Sequence, residues 1–172
     1  MMRRRRFCVL ALALALTAHG CGYRFAGSGA LPGDIVSLSI SMLGNRTAEA
    51  GIETIVTNDL VNEFILNSRV KLTDAEQAEA ILGGWVTAIR VDTASRVSYL
   101  ESSERRVTVT VLLTLTHKDG RVLWQDGTLS DNEVYDVIND NKAATNRNKR
   151  QAIAVLSARL AEKAFNRISD TF

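Results

Sequence analysis

Between Val107 and Thr116 the chain alternates strictly, with Val107, Val109, Val111, Leu113 and Leu115 at one set of positions and Thr108, Thr110, Leu112, Thr114 and Thr116 at the other. A period of two sends the sets to opposite faces of a strand, one apolar throughout and one mostly threonine. Threonine favours strands and tolerates water, so such a strand belongs in a sheet with one packed face and one half-exposed face. The open face has two readings: a solvated surface, or a surface for a partner or for the polar part of an amphiphile.

The rest of the pattern supplies what packs on the apolar face. From Asp34 a strand is expected, with Val36, Leu38 and Ile40 on one side and Ser37, Ser39 and Ser41 on the other. A polar link, Gly44-Asn45-Arg46-Thr47, leads to a helix in which Ile52, Val56, Leu60 and Phe64 recur every four residues, supported by Ile55, Val61 and Ile65. Asn67-Ser68 ends it and Val70-Lys71-Leu72 begins the next strand. After a polar connection over Asp74 to Glu79, a strand from Ala80 to about Asp92 places Ile81, Trp85, Ile89 and Val91 on one face, and a hairpin tip over Thr93 to Glu104 leads into the alternating strand. Asp119-Gly120 is a tight turn into a last strand, Arg121 to Leu129, with Val122 and Trp124 on one side. A polar loop over Ser130 to Asn146 precedes a terminal helix that runs to about Ser169 and buries Ile153, Leu156, Leu160, Ala164 and Ile168. Each helix has one apolar stripe and the sheet one apolar face. The expected fold is therefore an α/β (α+β) two-layer sandwich: a mixed or antiparallel sheet of about four to five strands with two helices on one face.

Residues 1–20 read as a lipoprotein signal peptide. Arg3 to Arg6 precede an apolar run from Phe7 to Ala18, and Gly20-Cys21-Gly22 follows. That run is shorter than the about 20 residues of a spanning helix, and small residues flank a cleavage point before Cys21. On this reading Cys21 carries acyl chains and residues 21–33 are a Gly-rich tether to a single domain over 34–172. An ordinary secretory signal cut nearby is the alternative. Gly22 stands where an aspartate would hold a lipoprotein at the inner membrane, so the expected destination is the periplasm-facing leaflet of the outer membrane. Acyl chains contribute about 0.8 kcal/mol per buried methylene, enough to anchor the domain without a spanning segment. Of the 21 Lys and Arg in the chain, four lie in residues 1–20 with no acid, which leaves 17 against 19 Asp and Glu. The basicity belongs to the targeting segment and is no argument for a nucleic-acid partner.

Catalytic equipment is not legible. Cys8 falls in the signal and Cys21 is the anchor, so the domain has no cysteine nucleophile, disulfide or cysteine metal site. His117, the one histidine of the mature chain, ends a strand beside Lys118, and no histidine–carboxylate spacing holds a metal. Asp126, Asp131, Glu133, Asp136 and Asp140 match no calcium loop and read as a solvated loop. Gly83-Gly84 lies inside a strand, where it marks a bulge or close packing and not a phosphate loop. The expectation is a protein that is no enzyme and uses no cofactor or metal. Two basic groups have open readings, as solvated cations or as a site for phosphate or carboxylate. One is Arg147, Lys149 and Arg150, expected in the first turn of the terminal helix, where the macrodipole disfavours cations. The other is Arg96 at the hairpin tip with Arg105 and Arg106 at the start of the return strand.

The order of several short motifs carries a resemblance. Cys21-Gly22-Tyr23-Arg24-Phe25, Leu31-Pro32, Asn45-Arg46-Thr47, Gly51-Ile52-Glu53, Ala78-Glu79-Ala80-Ile81-Leu82-Gly83 and Gly120-Arg121-Val122-Leu123-Trp124 together resemble the lipopolysaccharide-assembly lipoprotein family LptE over nearly all of the mature chain. Ser41-Met42 departs from it, standing where an Ile-Pro pair is common. The resemblance implies an outer-membrane lipoprotein that plugs the LptD β-barrel, helps it assemble and binds lipopolysaccharide on its way to the outer leaflet. It implies lipid contact by basic residues near the long hairpin and the last loop, for which Arg96, Arg105, Arg106 and Lys142 are the nearest by position. A lipid-anchored accessory of a different outer-membrane machine, a pilot or assembly factor, is the other class the features allow.

Overall fold

The computed structural model describes residues 31–95 and 104–170. Cys21, the tether before Leu31, and the hairpin tip with Arg96 lie outside the described residues. A single sheet of six strands is covered on one face by two helices. The strands are β1 (Ser37–Ile40), β2 (Gly44–Asn45), β3 (Lys71–Leu72), β4 (Ala80–Ser95), β5 (Glu104–His117) and β6 (Val122–Asp136); the helices are α1 (Ile52–Asn67) and α2 (Lys142–Ser169). The order β3-β1-β4-β5-β6, with β2 continuing beyond β1 along the same edge of β4, combines parallel pairing at β1–β3, β1–β4 and β2–β4 with antiparallel pairing at β4–β5 and β5–β6. The sixth strand is the short β2: Gly44–Asn45 pairs with Trp85–Val86 where the sequence pattern reads only a polar link.

The core sits between the helices and the alternating strand. Val107, Val109, Val111, Leu113 and Leu115 are fully buried, and Ile52, Val56, Leu60 and Phe64 of α1 meet Ile153, Leu156, Leu160, Ala164 and Ile168 of α2 above them. Phe64 and Phe165 join the helices edge to face, with ring centroids 5.2 Å apart. Ile65, expected to support the α1 stripe, is exposed.

Several facing assignments differ from the sequence pattern, each for a local reason. A bulge between Val86 and Ala88 inserts one residue in β4, so Ile81 and Trp85 lie on the open face whereas Ile89 and Val91 lie with Val109 and Val107 on the helix face. An irregularity at Leu115/Thr116 likewise separates Val122, opposite Thr116, from Trp124, opposite Leu115. Val36 precedes β1 and is exposed, while Ser39 is buried. β6 runs to Asp136, seven residues past its expected end, and Asn141 caps α2 by accepting the Ala144 N–H at 2.9 Å, so the expected Ser130–Asn146 loop shrinks to residues 137–141. The packed chain also begins before Asp34: Leu31 and Pro32 are buried, and Gly33 lies against Leu123 at the start of β6.

Candidate functional site

The two ends of the sheet differ in what they present. The end where the chain comes in from Leu31 holds the starts of β1, β3, β4 and β6 and the end of β5. The far end, where Ser95 pairs with Glu104 and Glu104 with Asp136, holds the base of the long hairpin and the first turn of α2. There Arg105 from β5 and Lys142 from α2 line one depression of about 680 Å³, together with Ile138, Asn139, Asp140, Asn141 and Thr145. Arg105 stands opposite Tyr135 on the helix side, so its side chain turns toward the 137–141 loop. Thr145 ties that loop to the helix, its hydroxyl accepting the Ile138 N–H at 3.0 Å and donating to the Ile138 carbonyl at 3.2 Å. The result is two cations and one carboxylate, Asp140, among amide and hydroxyl groups, a lining with a net positive charge that suits an anion with sugar-like hydroxyls around it.

The remaining sequence candidates are dispersed. Arg106, one residue on from Arg105, takes the opposite, open face between Asp92 and Val134. Arg147, Lys149 and Arg150 are not in the first turn, because α2 begins at Lys142; the conflict with the macrodipole on which that cluster was singled out is therefore largely absent. Lys149 is half-buried and paired with Glu49, which ties α2 to the link before α1, while Arg147 and Arg150 are exposed. His117 closes the β5–β6 turn, its Nδ1 within reach of the Asp119 N–H at 3.3 Å. Arg121 donates its backbone N–H and its guanidinium to the Asp119 carboxylate, which holds that carboxyl well below the usual range. Among the described residues no group of three or more His, Cys, Asp or Glu is placed to hold a metal.

Two features escape a reading by motif. The first is a seam of ion pairs between β6 and α2. Arg159 bridges Asp131 at 2.8 Å and Glu133 at 2.7 Å, Lys163 reaches Asp131 at 3.1 Å, and Arg167 pairs with Asp126. These acids are therefore strand residues facing a helix and not a solvated loop. Burial raises the Asp131 carboxyl, but hydrogen bonds from Arg159, the Asn132 N–H and Lys163 outweigh it and leave the group below its ordinary value; the Asp131 and Glu133 carboxylates in turn hold the Arg159 guanidinium above its own. The available signal was spacing: Arg159, Lys163 and Arg167 recur every four residues and form one stripe on a helix.

The second is on the open face, where Ile81, Gly83, Gly84, Trp85, Leu112, Thr114 and Thr116 line a shallow apolar groove. Gly84 allows the strands to close there, since a Cβ at that position would stand 2.0 Å from the Leu112 carbonyl oxygen. Gly44 lies flat under the Trp85 ring, where a Cβ would be 2.2 Å from Cε3, and the Arg46 guanidinium stacks 4.3 Å from the ring centroid. Asn45, between them, donates to the Glu49 carbonyl and the Glu53 carboxylate at 2.8 Å each and accepts the Thr47 N–H at 2.8 Å. The Asn45-Arg46-Thr47 motif thus shapes the entrance to α1 and one wall of the groove.

The fold is shared with solved lipoprotein structures of low sequence identity. Lipoprotein B from Nitrosomonas europaea superposes with a TM-score of 0.58 at 13% identity, covering 88% of this chain and 92% of that one. A minor lipoprotein from Acinetobacter baumannii gives 0.54 at 17% identity over 79% and 92%, and the rare lipoprotein B from Shewanella oneidensis 0.53 at 14% over 78% and 95%. No curated protein matches the sequence. The family model for LptE, described as lipopolysaccharide-assembly, matches residues 35–168, the whole described domain from the approach to β1 to the last turn of α2, and the chain belongs to that family.

Proposed function

We propose that this protein is an outer-membrane lipoprotein, anchored through acyl chains on Cys21, that sits as a plug in an LptD-type barrel, aids its assembly, and binds lipopolysaccharide during transfer to the outer leaflet. The depression that Arg105 and Lys142 share is the observation that carries the lipid-binding part. It gathers two of the positions that the family resemblance singles out, from elements 37 residues apart in sequence, over a rim suited to phosphorylated sugars. Its place in the molecule also fits. β5 spans 14 residues, about 46 Å at about 3.3 Å per residue, which exceeds the about 30 Å of a bilayer's hydrocarbon core. With the Leu31 end held near the periplasmic leaflet by Cys21, the far end reaches the level of the outer leaflet. Arg106 flanks the same end on the open face of β5, Arg96 joins this group by its place in the sequence alone, and Arg147, Lys149 and Arg150 follow on α2 as a secondary basic surface.

The test separates the two partners. Tagged full chain is recovered with its membrane partners, and purified lipopolysaccharide binding is measured on the same preparation. Arg105→Glu with Lys142→Glu is expected to cut lipopolysaccharide binding at least tenfold while a large outer-membrane barrel still co-purifies in stoichiometric amount. Undiminished binding removes the depression from the lipid site, and recovery of a different machine, such as a secretin, removes the plug.

A further inference from the structure

β6 is one edge strand of the sheet, with the two-residue β3 at the other end of the order, and an edge of 15 residues is a template for pairing with another strand. In an antiparallel pair, alternate residues turn their N–H and C=O toward the neighbouring strand and the others turn them outward. Asn132 is of the second kind. Its N–H donates to Asp131 Oδ1 at 2.8 Å, and its carbonyl accepts from Arg159 Nη2 at 2.6 Å. In the β5–β6 register that makes residues 130, 132, 134 and 136 the outward set. The carbonyl of Asp136 accepts Asn148 Nδ2 at 3.0 Å, and the N–H of Thr128, beyond the irregularity in the strand, donates to Asp126 Oδ1 at 2.8 Å. Outward backbone groups are thus occupied at 128, 132 and 136, every fourth residue. Between these blocks only one outward residue stands at a time, Ser130 or Val134.

We infer that β6 from Thr128 to Asp136 is closed to strand addition by side chains of its own fold, with Arg159 as the principal latch, and that opening it would let a second copy of this chain pair edge to edge. A ladder needs successive outward residues, and from Thr128 to Asp136 none are available while Arg159, Asp131, Asn148 and Asp126 keep their places. Arg159 suits this role because one planar guanidinium holds Asp131, Glu133 and the Asn132 carbonyl at once.

The test is the mass of the full chain in solution as concentration rises. Arg159→Ala combined with Asn148→Ala is expected to shift it from monomer to dimer or higher, and Lys163→Ala, which removes a partner of Asp131 without uncovering a carbonyl, is expected to leave it monomeric. Adding Val134→Pro to the double variant should restore the monomer, because it deletes an outward donor that β5 does not use. A double variant that stays monomeric overturns the inference. So does assembly that Val134→Pro fails to reverse, or assembly of Lys163→Ala, since either outcome means loss of structure and not an opened edge.

Discussion

The two faces of β5 are built from interleaved residues of one strand, yet they end in different physical states. On the helix face, five apolar side chains vanish under α1 and α2, and the acids of β6 beside them are met by cations of α2. On the open face, threonines surround a groove whose largest feature, Trp85, is 40% exposed and carries Gly44 and the Arg46 guanidinium against its ring. The first face is held by what the chain itself provides. The second is organised, down to two glycines that shape it, without being covered. A surface that is shaped but left open is where an external partner gains most, because the cost of ordering it is already met by folding.

This contrast predicts very unequal sensitivity to substitution. The widest gap is between Leu113 and its neighbour Thr114. Leu113→Ala should cost about 2–5 kcal/mol in denaturant unfolding, through lost transfer energy and a cavity, and Thr114→Ala within about 0.5 kcal/mol; comparable losses at the two would break the comparison. Gly84→Ala, at the position opposite Leu113, should cost about 1–3 kcal/mol, because its Cβ would meet the Leu112 backbone and the strands must part. Chemical shifts that stay unchanged on both strands in this variant would contradict the close packing.

Asp131 tests the polar part of the covered face. Its carboxyl is nearly buried but its partner Arg159 is 39% exposed, so Asp131→Asn should cost about 1–2 kcal/mol at neutral pH, below the figure for a fully buried pair. The sign with pH follows from the lowered folded-state value of this group and of Asp126. Their contribution is complete above the ordinary carboxylate value near about 4 and is lost as pH falls through the lower folded values. Wild type should therefore lose more stability than Asp131→Asn as pH falls below about 4, and the two acid-unfolding curves should converge. Parallel curves would show that the seam carries no linked protons. The smallest effect belongs to the open face: Arg46→Ala should change stability by about 0.5–1 kcal/mol while shifting Trp85 fluorescence, which identifies the stacking even where the energy is slight.

What was legible in the chain divides along the same line. The helix stripes were readable because burial in a helix repeats every three to four residues, and the residues of Ile52–Phe64 and Ile153–Ile168 at that spacing are those that the core contains. The alternation of β5 was readable for the corresponding reason. Trp85, by contrast, was assigned the same face as Ile89, because a single-residue bulge at Thr87 leaves no mark in a pattern of apolar residues. The candidate site was half legible. Arg105, Arg106 and Lys142 could be named by position, but adjacent residues of a strand point opposite ways, and only the register shows that Arg105 joins Lys142 while Arg106 does not. Arg147, Lys149 and Arg150 were misplaced because polar Asn141 to Asn146 reads as loop, although Asn141 is the cap and the helix has begun.

The sequence by itself determined the period of each element, the residues that must leave water, and, through ordered motifs, the family. Those are properties of neighbours along the chain, set by the geometry of one strand or one helix. The tertiary structure alone decided which acids meet which cations across β6 and α2, where β4 changes face, which cations share the far end, and which backbone groups of the edge are stopped. Each of these depends on two elements distant in sequence arriving in one register, a relation that the pattern within either element does not contain.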